Sequence, residues 1–80
     1  MVALKAFKKW AADKHYPINK QGIDWAIFGV SNADGTLSTP ISLGNHDRLR
    51  DNGIPDRALQ EIAFRLGISK HDLEEEINEY

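Results

Sequence analysis

Apolar residues near the start of the chain recur at the three- and four-residue steps of an amphipathic helix: Ala3, Leu4, Phe7, Trp10 and Ala11. Lys5, Lys8 and Lys9 fall mostly on the other side of that helix. Because a proline disfavours a helical backbone at the residue before it, Pro17 predicts that the helix ends near His15. The pattern therefore predicts a helix over residues 2–15 with one apolar face and one basic face.

The next two apolar segments are typical of β-strands. Residues 23–31 are rich in β-branched and aromatic side chains, and residues 36–43 alternate apolar with small polar positions. Between them, the segment NADG at residues 32–35 is a strong turn sequence, since Gly35 accepts a positive φ. We therefore predict a two-stranded antiparallel β-hairpin. Its second strand should lie at the edge of the sheet, because Pro40 lacks an N–H to donate.

The first predicted strand is apolar on both sides, so both of its faces need cover. A two-stranded hairpin is marginal by itself. Either the first helix and the C-terminal helices pack on its two sides, or the strand over residues 23–31 pairs with a copy of itself. The second arrangement predicts a homodimer with a four-stranded sheet.

Three short helices are predicted in the last third of the chain. Asn45 and Ser69 are suited to cap the first and the third of them, and Gly53 and Gly67 to end the first and the second. Pro55 suits the first turn of the second helix. The fold class is therefore α+β in a single small domain over residues 1–80: an N-terminal helix, a two-stranded antiparallel β-hairpin, then three short helices.

The last two predicted helices resemble the helix-turn-helix of DNA-binding regulators. The features that carry the resemblance are an aliphatic and a small residue mid-way along the first helix, a Leu-Gly-Ile turn, a capping serine and an aliphatic residue in the second helix: Ile62, Ala63, Leu66, Gly67, Ile68, Ser69 and Leu73. The resemblance covers residues 56–79. It implies two closely crossing helices and a DNA-binding role for the second one.

The charges on that second helix point away from DNA. A recognition helix presents Arg, Lys, Asn, Gln or Ser to phosphates and base edges. Here the side expected to be exposed carries Glu74, Glu75, Glu76 and Glu79, with only Lys70 and His71 at its start. Carboxylates repel a polyanion, so nucleic acid is possible as a partner but is disfavoured by this helix.

The net charge of -2 over 80 residues hides a strong asymmetry. Residues 1–20 hold five lysines and one aspartate, which gives +4, whereas residues 56–80 hold three basic and seven acidic residues, which gives -4. The middle segment contributes the remaining -2. A basic front and an acidic rear favour association through complementary charge.

Several chemistries find no support in the sequence. The chain has no cysteine, which excludes disulfides, a thiolate nucleophile and a cysteine-based zinc site. The pairs His46-Asp47 and His71-Asp72 are adjacent residues, which point about 100° apart on a helix and so cannot form a dyad. We therefore predict no catalytic residues, no metal and no cofactor.

The sequence favours a small non-enzymatic protein that binds or regulates a protein partner, of the adaptor, inhibitor or antitoxin-like kind. The alternative is a DNA-binding transcriptional regulator of helix-turn-helix type. The candidate partner-binding residues lie on the first and last helices: Lys5, Lys8, Lys9, Trp10, Lys70, His71, Glu74 and Glu75. No apolar run is long enough to cross a membrane, so we expect a soluble, cytoplasmic protein without a membrane partner.

Overall fold

Four helices and a three-stranded antiparallel sheet make up the fold, which the computed structural model describes over all 80 residues. The helices are α1 (Leu4–Asp13), α2 (His46–Asn52), α3 (Asp56–Leu66) and α4 (Lys70–Asn78). The strands are β1 (Ile18–Gln21), β2 (Asp24–Ile27) and β3 (Ile41–Gly44), in the order β1-β2-β3. The α+β class is confirmed, but the predicted number of strands is wrong.

The strand that the sequence reading missed is β1. It forms a tight hairpin with β2, in which Gln21 faces Asp24 across a two-residue loop of Gly22 and Ile23. Gly22 has φ 70° and Ile23 does not have a positive φ, which is the pattern of a type II′ turn. The true hairpin therefore lies earlier in the chain than the NADG segment.

Strands β2 and β3 pair antiparallel, as predicted. The NADG segment does form a turn, closed by a 3.0 Å hydrogen bond from the Gly35 amide to the Asn32 carbonyl oxygen. However, this turn sits inside a loop over residues 28–40 and does not join the strands directly. Because β3 pairs only with β2, it is an edge strand, as Pro40 predicted.

The central position of β2 overturns one expectation about assembly. Both edges of β2 are paired within the chain, to β1 on one side and β3 on the other. The strand over residues 23–31 therefore cannot pair with a copy of itself, and the homodimer predicted through it is wrong. Ile23 lies in the hairpin turn and is 82% exposed, so it also has no part in the covered faces.

The long loop between β2 and β3 is held by a buried arginine on α3. Arg65 is 5% exposed, and its guanidinium donates hydrogen bonds to the carbonyl oxygens of Val30 and Thr39, to the Thr39 hydroxyl and to the Glu61 carboxylate. Four of its five N–H donors are thus satisfied, and only Nε has no partner. Loops of this length without secondary structure are uncommon in small domains. Arg65 holds both ends of this loop, because a single guanidinium bonds Val30 near its start and Thr39 near its end.

One continuous core joins the helices to the sheet. It contains sixteen buried apolar residues: Val2, Phe7, Trp10, Ala11, Ile27, Val30, Ile41, Leu43, Leu49, Ile54, Ala58, Leu59, Ile62, Ala63, Leu73 and Ile77. The predicted caps are confirmed, since Asn45 accepts from the Arg48 amide at 2.9 Å and Ser69 accepts from the Asp72 amide at 3.0 Å. Helices α2 and α4 therefore begin where their local sequence specifies. Helix α3 has no side-chain cap, and Pro55 lies just before its first turn and not within it.

We expect Arg65→Lys to destabilise the protein by about 2–4 kcal/mol, because the single ammonium group of a lysine cannot reproduce the four hydrogen bonds of the guanidinium to Val30, Thr39 and Glu61. Urea denaturation measures the loss. Arg57→Lys is the matched control: Arg57 is exposed and makes a single 2.7 Å hydrogen bond to the Ser42 carbonyl oxygen, so it should cost below about 1 kcal/mol. Equal losses for the two variants would contradict the role given to Arg65.

A second stability test concerns Gly53, the C-cap of α2, which has φ 76°. A Cβ at this position would lie 2.5 Å from the carbonyl oxygen of Val2, a core residue. Gly67 has φ 72° with open space around its Cβ position. We expect Gly67→Ala to cost about 1 kcal/mol from backbone strain alone, and Gly53→Ala about 3 kcal/mol or more from strain plus the clash. Thermal denaturation of the two variants, compared side by side, checks this order.

Candidate protein-binding surface

The rotation of α1 about its axis decides which of its residues face solvent. Phe7, Trp10 and Ala11 are buried, so they define the inner side of the helix. Lys5, Lys8 and Lys9 are all exposed on the opposite side, and none of them forms a salt bridge within the chain. We call these three residues the basic face.

Trp10 does not belong to the basic face. It is fully buried, packs against Phe7 and Tyr16 with ring centroids 5.6 Å away in each case, and donates its indole N–H to a Glu76 carboxylate oxygen at 2.6 Å. The expectation that Trp10 contacts a partner is therefore wrong. Its apolar surface and its polar tip are both used inside the protein.

Polar contacts at the ends of α1 and α4 join these two helices. The Lys14 ammonium lies 3.9 Å from the same Glu76 carboxylate oxygen, and the Tyr80 hydroxyl donates a hydrogen bond to the Asp13 carboxylate. This hydrogen bond, together with the desolvation and the negative charge around the phenol, raises the pKa of Tyr80 to about 12. One flank of α1 is therefore occupied by α4.

The candidate residues on α4 are largely paired with each other. Lys70 contacts Glu74 at 3.0 Å and Asp56 at 3.4 Å, which ties α4 to the start of α3. The hydrogen bond to Glu74, followed by that to Asp56, raises the pKa of Lys70. His71 lies 2.7 Å from Glu75 one turn further along the helix. These side chains have partners within the chain, in contrast to the lysines of the basic face.

The outward side of α4 is acidic, although not through all the residues expected. Glu76 is half-buried and turns towards Trp10, and the side chain of Glu74 is only 24% exposed beside Lys70. The exposed carboxylates are instead Asp72, Glu75 and Glu79. The sequence therefore predicted the negative charge of this surface correctly. It was wrong about Glu74 and Glu76, which are not among its exposed carboxylates.

The structure does not gather the candidate residues into one site. Lys5, Lys8 and Lys9 form one surface on α1, whereas Lys70, His71, Glu74 and Glu75 form a separate set of pairs on α4. Only the first set leaves its charges without partners.

A groove next to the basic face was missed by the sequence reading. It has a volume of about 290 Å³, lies between α1 and the β1–β2 hairpin, and opens to solvent. Seven residues line it: Lys8, Ala11, Ala12, Tyr16, Pro17, Ile18 and Trp25. Lys8 belongs to both features, so the groove and the basic face form one continuous surface. A two-residue turn at Gly22-Ile23 would have placed Ile18 and Trp25 on the same face of the hairpin, but the position of α1 over them depends on tertiary packing.

A second, smaller cleft of about 190 Å³ lies where β3, α2 and α3 meet. Arg48 and Arg57 line it, and Arg57 is already bonded to the Ser42 carbonyl oxygen. No group of three or more His, Asp or Glu side chains is arranged to hold a metal ion. None of the helices is long and apolar enough to cross a membrane.

No protein-family model matches this chain, and comparisons with curated proteins and with solved structures find no match either.

The contact between α1 and the end of the chain gives a pH-dependent prediction. Because the folded-state pKa of Tyr80 is raised above its ordinary value of about 10, its hydrogen bond contributes stability below pH 10, and this is lost as the pH rises through about 12. We expect Asp13→Ala to lower the midpoint of the Tyr80 phenolate absorbance towards 10. Tyr80→Phe identifies the signal by removing it, and an unchanged midpoint in Asp13→Ala would contradict the contact.

Proposed function

We propose that this protein is a small non-enzymatic binding protein that recognises an acidic protein surface through the basic face of α1. The observation that carries the proposal is the lack of intramolecular partners for Lys5, Lys8 and Lys9, on a helix whose rotation is fixed by the buried Trp10. Opposite charge on a partner would orient the encounter and raise its rate.

The apolar groove beside the lysines supports a protein partner. Exposed charge gives modest affinity in water because ion pairs at a surface contribute little. Apolar area that becomes covered contributes roughly 25 cal/mol per Å² before the costs of association. A basic face continuous with an apolar groove offers both contributions on one side of the molecule. Such a surface suits an adaptor, an inhibitor or an antitoxin-like factor, each of which acts by occupying a partner.

The negative charge of α4 argues against the alternative function, in which this helix would bind DNA as a recognition helix. A recognition helix must approach phosphates, and DNA affinity depends on neutralising them. The outward side of α4 presents Asp72, Glu75 and Glu79 instead. Docked in a major groove, this helix would bring three carboxylates to a polyanion.

The test compares two charge reversals of equal size. We expect Lys5→Glu combined with Lys9→Glu to reduce capture of the partner from the native cell at least tenfold, because attraction becomes repulsion. Arg48→Glu combined with Arg50→Glu changes the net charge by the same amount on α2 and should leave capture within about twofold. Quantitative affinity capture followed by titration calorimetry with the recovered protein provides the measurement.

The same variants decide between partner classes. Binding to duplex DNA at low salt that weakens steeply as salt rises, and that is lost in the lysine variant, would replace this proposal with a nucleic-acid-binding function. Equal loss of protein capture in both variants would show that net charge, and not the basic face, drives association.

A further inference from the structure

We propose that the groove between α1 and the β1–β2 hairpin binds an extended acidic segment of the partner, which pairs with the free edge of β1 as a fourth strand. This inference rests on the proposed function and specifies the partner's chemistry. Adding a strand to an exposed sheet edge is a recurrent way of binding peptides, with backbone hydrogen bonds for affinity and side-chain pockets for specificity.

Strand β1 has a free edge, because it pairs only with β2. The Phe28 amide donates to the Pro17 carbonyl oxygen at 2.8 Å, and hydrogen-bonded pairs alternate along an antiparallel ladder. The register pairs Ile18 with Ile27 and Lys20 with Trp25, so these are the pairs without ladder bonds. The N–H and C=O groups of Ile18 and Lys20 therefore point away from β2, ready for another strand.

The opposite edge of the sheet differs. There the outward carbonyl oxygen of Ser42 on β3 already accepts a hydrogen bond from the Arg57 guanidinium. No side chain of the protein occupies the outward groups of Ile18 or Lys20 in the same way. Strand addition at β1 displaces no contact within the chain.

The groove runs beside that free edge of β1. Cross-strand partners share a face of the sheet, so Ile18, Lys20 and Trp25 lie on the same face. Ile18 and Trp25 line the groove, and Lys8 of α1 lines it from the other side. Every second side chain of a strand added to β1 would point to this face.

The charge around the groove is positive. Lys8 and Lys20 flank this region, and neither forms a salt bridge within the chain. A bound strand with an apolar side chain in the groove would have its neighbours two positions before and after on the same face. Carboxylates at those two positions would lie near Lys8 and Lys20. Nucleic acid could stack on aromatic rings here, but it has no peptide groups to pair with the edge of β1, so an acidic peptide fits the site better.

The probe is a short blocked peptide in which glutamate, leucine and glutamate occupy alternate positions between serines. We expect the amide resonances of Ile18 and Lys20 to shift on titration and their hydrogen exchange to slow at least tenfold at saturation, because added-strand bonds protect these outward amides. A peptide with lysine in place of glutamate should bind at least tenfold more weakly.

Ala12→Arg separates groove binding from simple charge attraction. Ala12 is an exposed groove residue, and an arginine there obstructs the groove while it adds positive charge. We expect the Kd for the acidic peptide to rise at least fivefold. Circular dichroism checks that α1 remains helical, as expected for a good helix former at an exposed position.

The outcomes are distinct. Two results would overturn the proposal that the peptide binds in the groove: tighter binding of the acidic peptide to Ala12→Arg, or binding without protection of the Ile18 and Lys20 amides. The basic face would then remain the proposed site. Groove binding of an acidic peptide would also be contradicted if the peptide failed to bind. The same holds if single-stranded oligothymidylate shifted the resonances of the groove residues and the peptide did not. The capture experiment with the Lys5 and Lys9 reversal tests the proposed function independently of these results.

Discussion

The burial of Trp10 is the constraint on which the proposed binding surface depends. Its ring system sits in the core between Phe7 and Tyr16, and its indole N–H reaches the Glu76 carboxylate across the molecule. A large aromatic side chain with a satisfied polar tip permits very few orientations of its helix. Once Trp10 is placed, the lysines of α1 must face solvent, and Ala12 must border the groove.

The elements that sequence reasoning located correctly are those specified by local interactions. The N-caps Asn45 and Ser69 each satisfy an amide three residues ahead, so a short stretch of sequence determines them. Strand β1 was not predicted, because Ile18–Gln21 contains one apolar residue and three polar ones. It is a strand because β2 lies beside it, and a periodicity argument has little to work with in such a segment.

The buried arginine and the groove of the proposed binding surface could be found only from the tertiary structure. Arginine is rarely buried, so nothing in the sequence distinguishes Arg65 from an exposed residue of α3. The groove arises where a helix and a hairpin fail to close against each other, which depends on how both are placed. The sequence also separates a basic front from an acidic rear, yet α1 and α4 pack together, and Lys14 meets Glu76 at their seam. The positive charge near the start of the chain is thus partly neutralised by the acidic helix α4. The lysines of the basic face are the ones that stay unpaired.

The bond between Trp10 and Glu76 joins residues 66 positions apart, which has a consequence for how the protein is made. During synthesis α1 emerges well before α4, the helix that covers one flank of it. Contacts of long sequence separation form late, and apolar surface exposed meanwhile is prone to wrong association. The exposed Lys5, Lys8 and Lys9 need no partner on α4, so the outer side of α1 is already charged and hydrated before α4 is made.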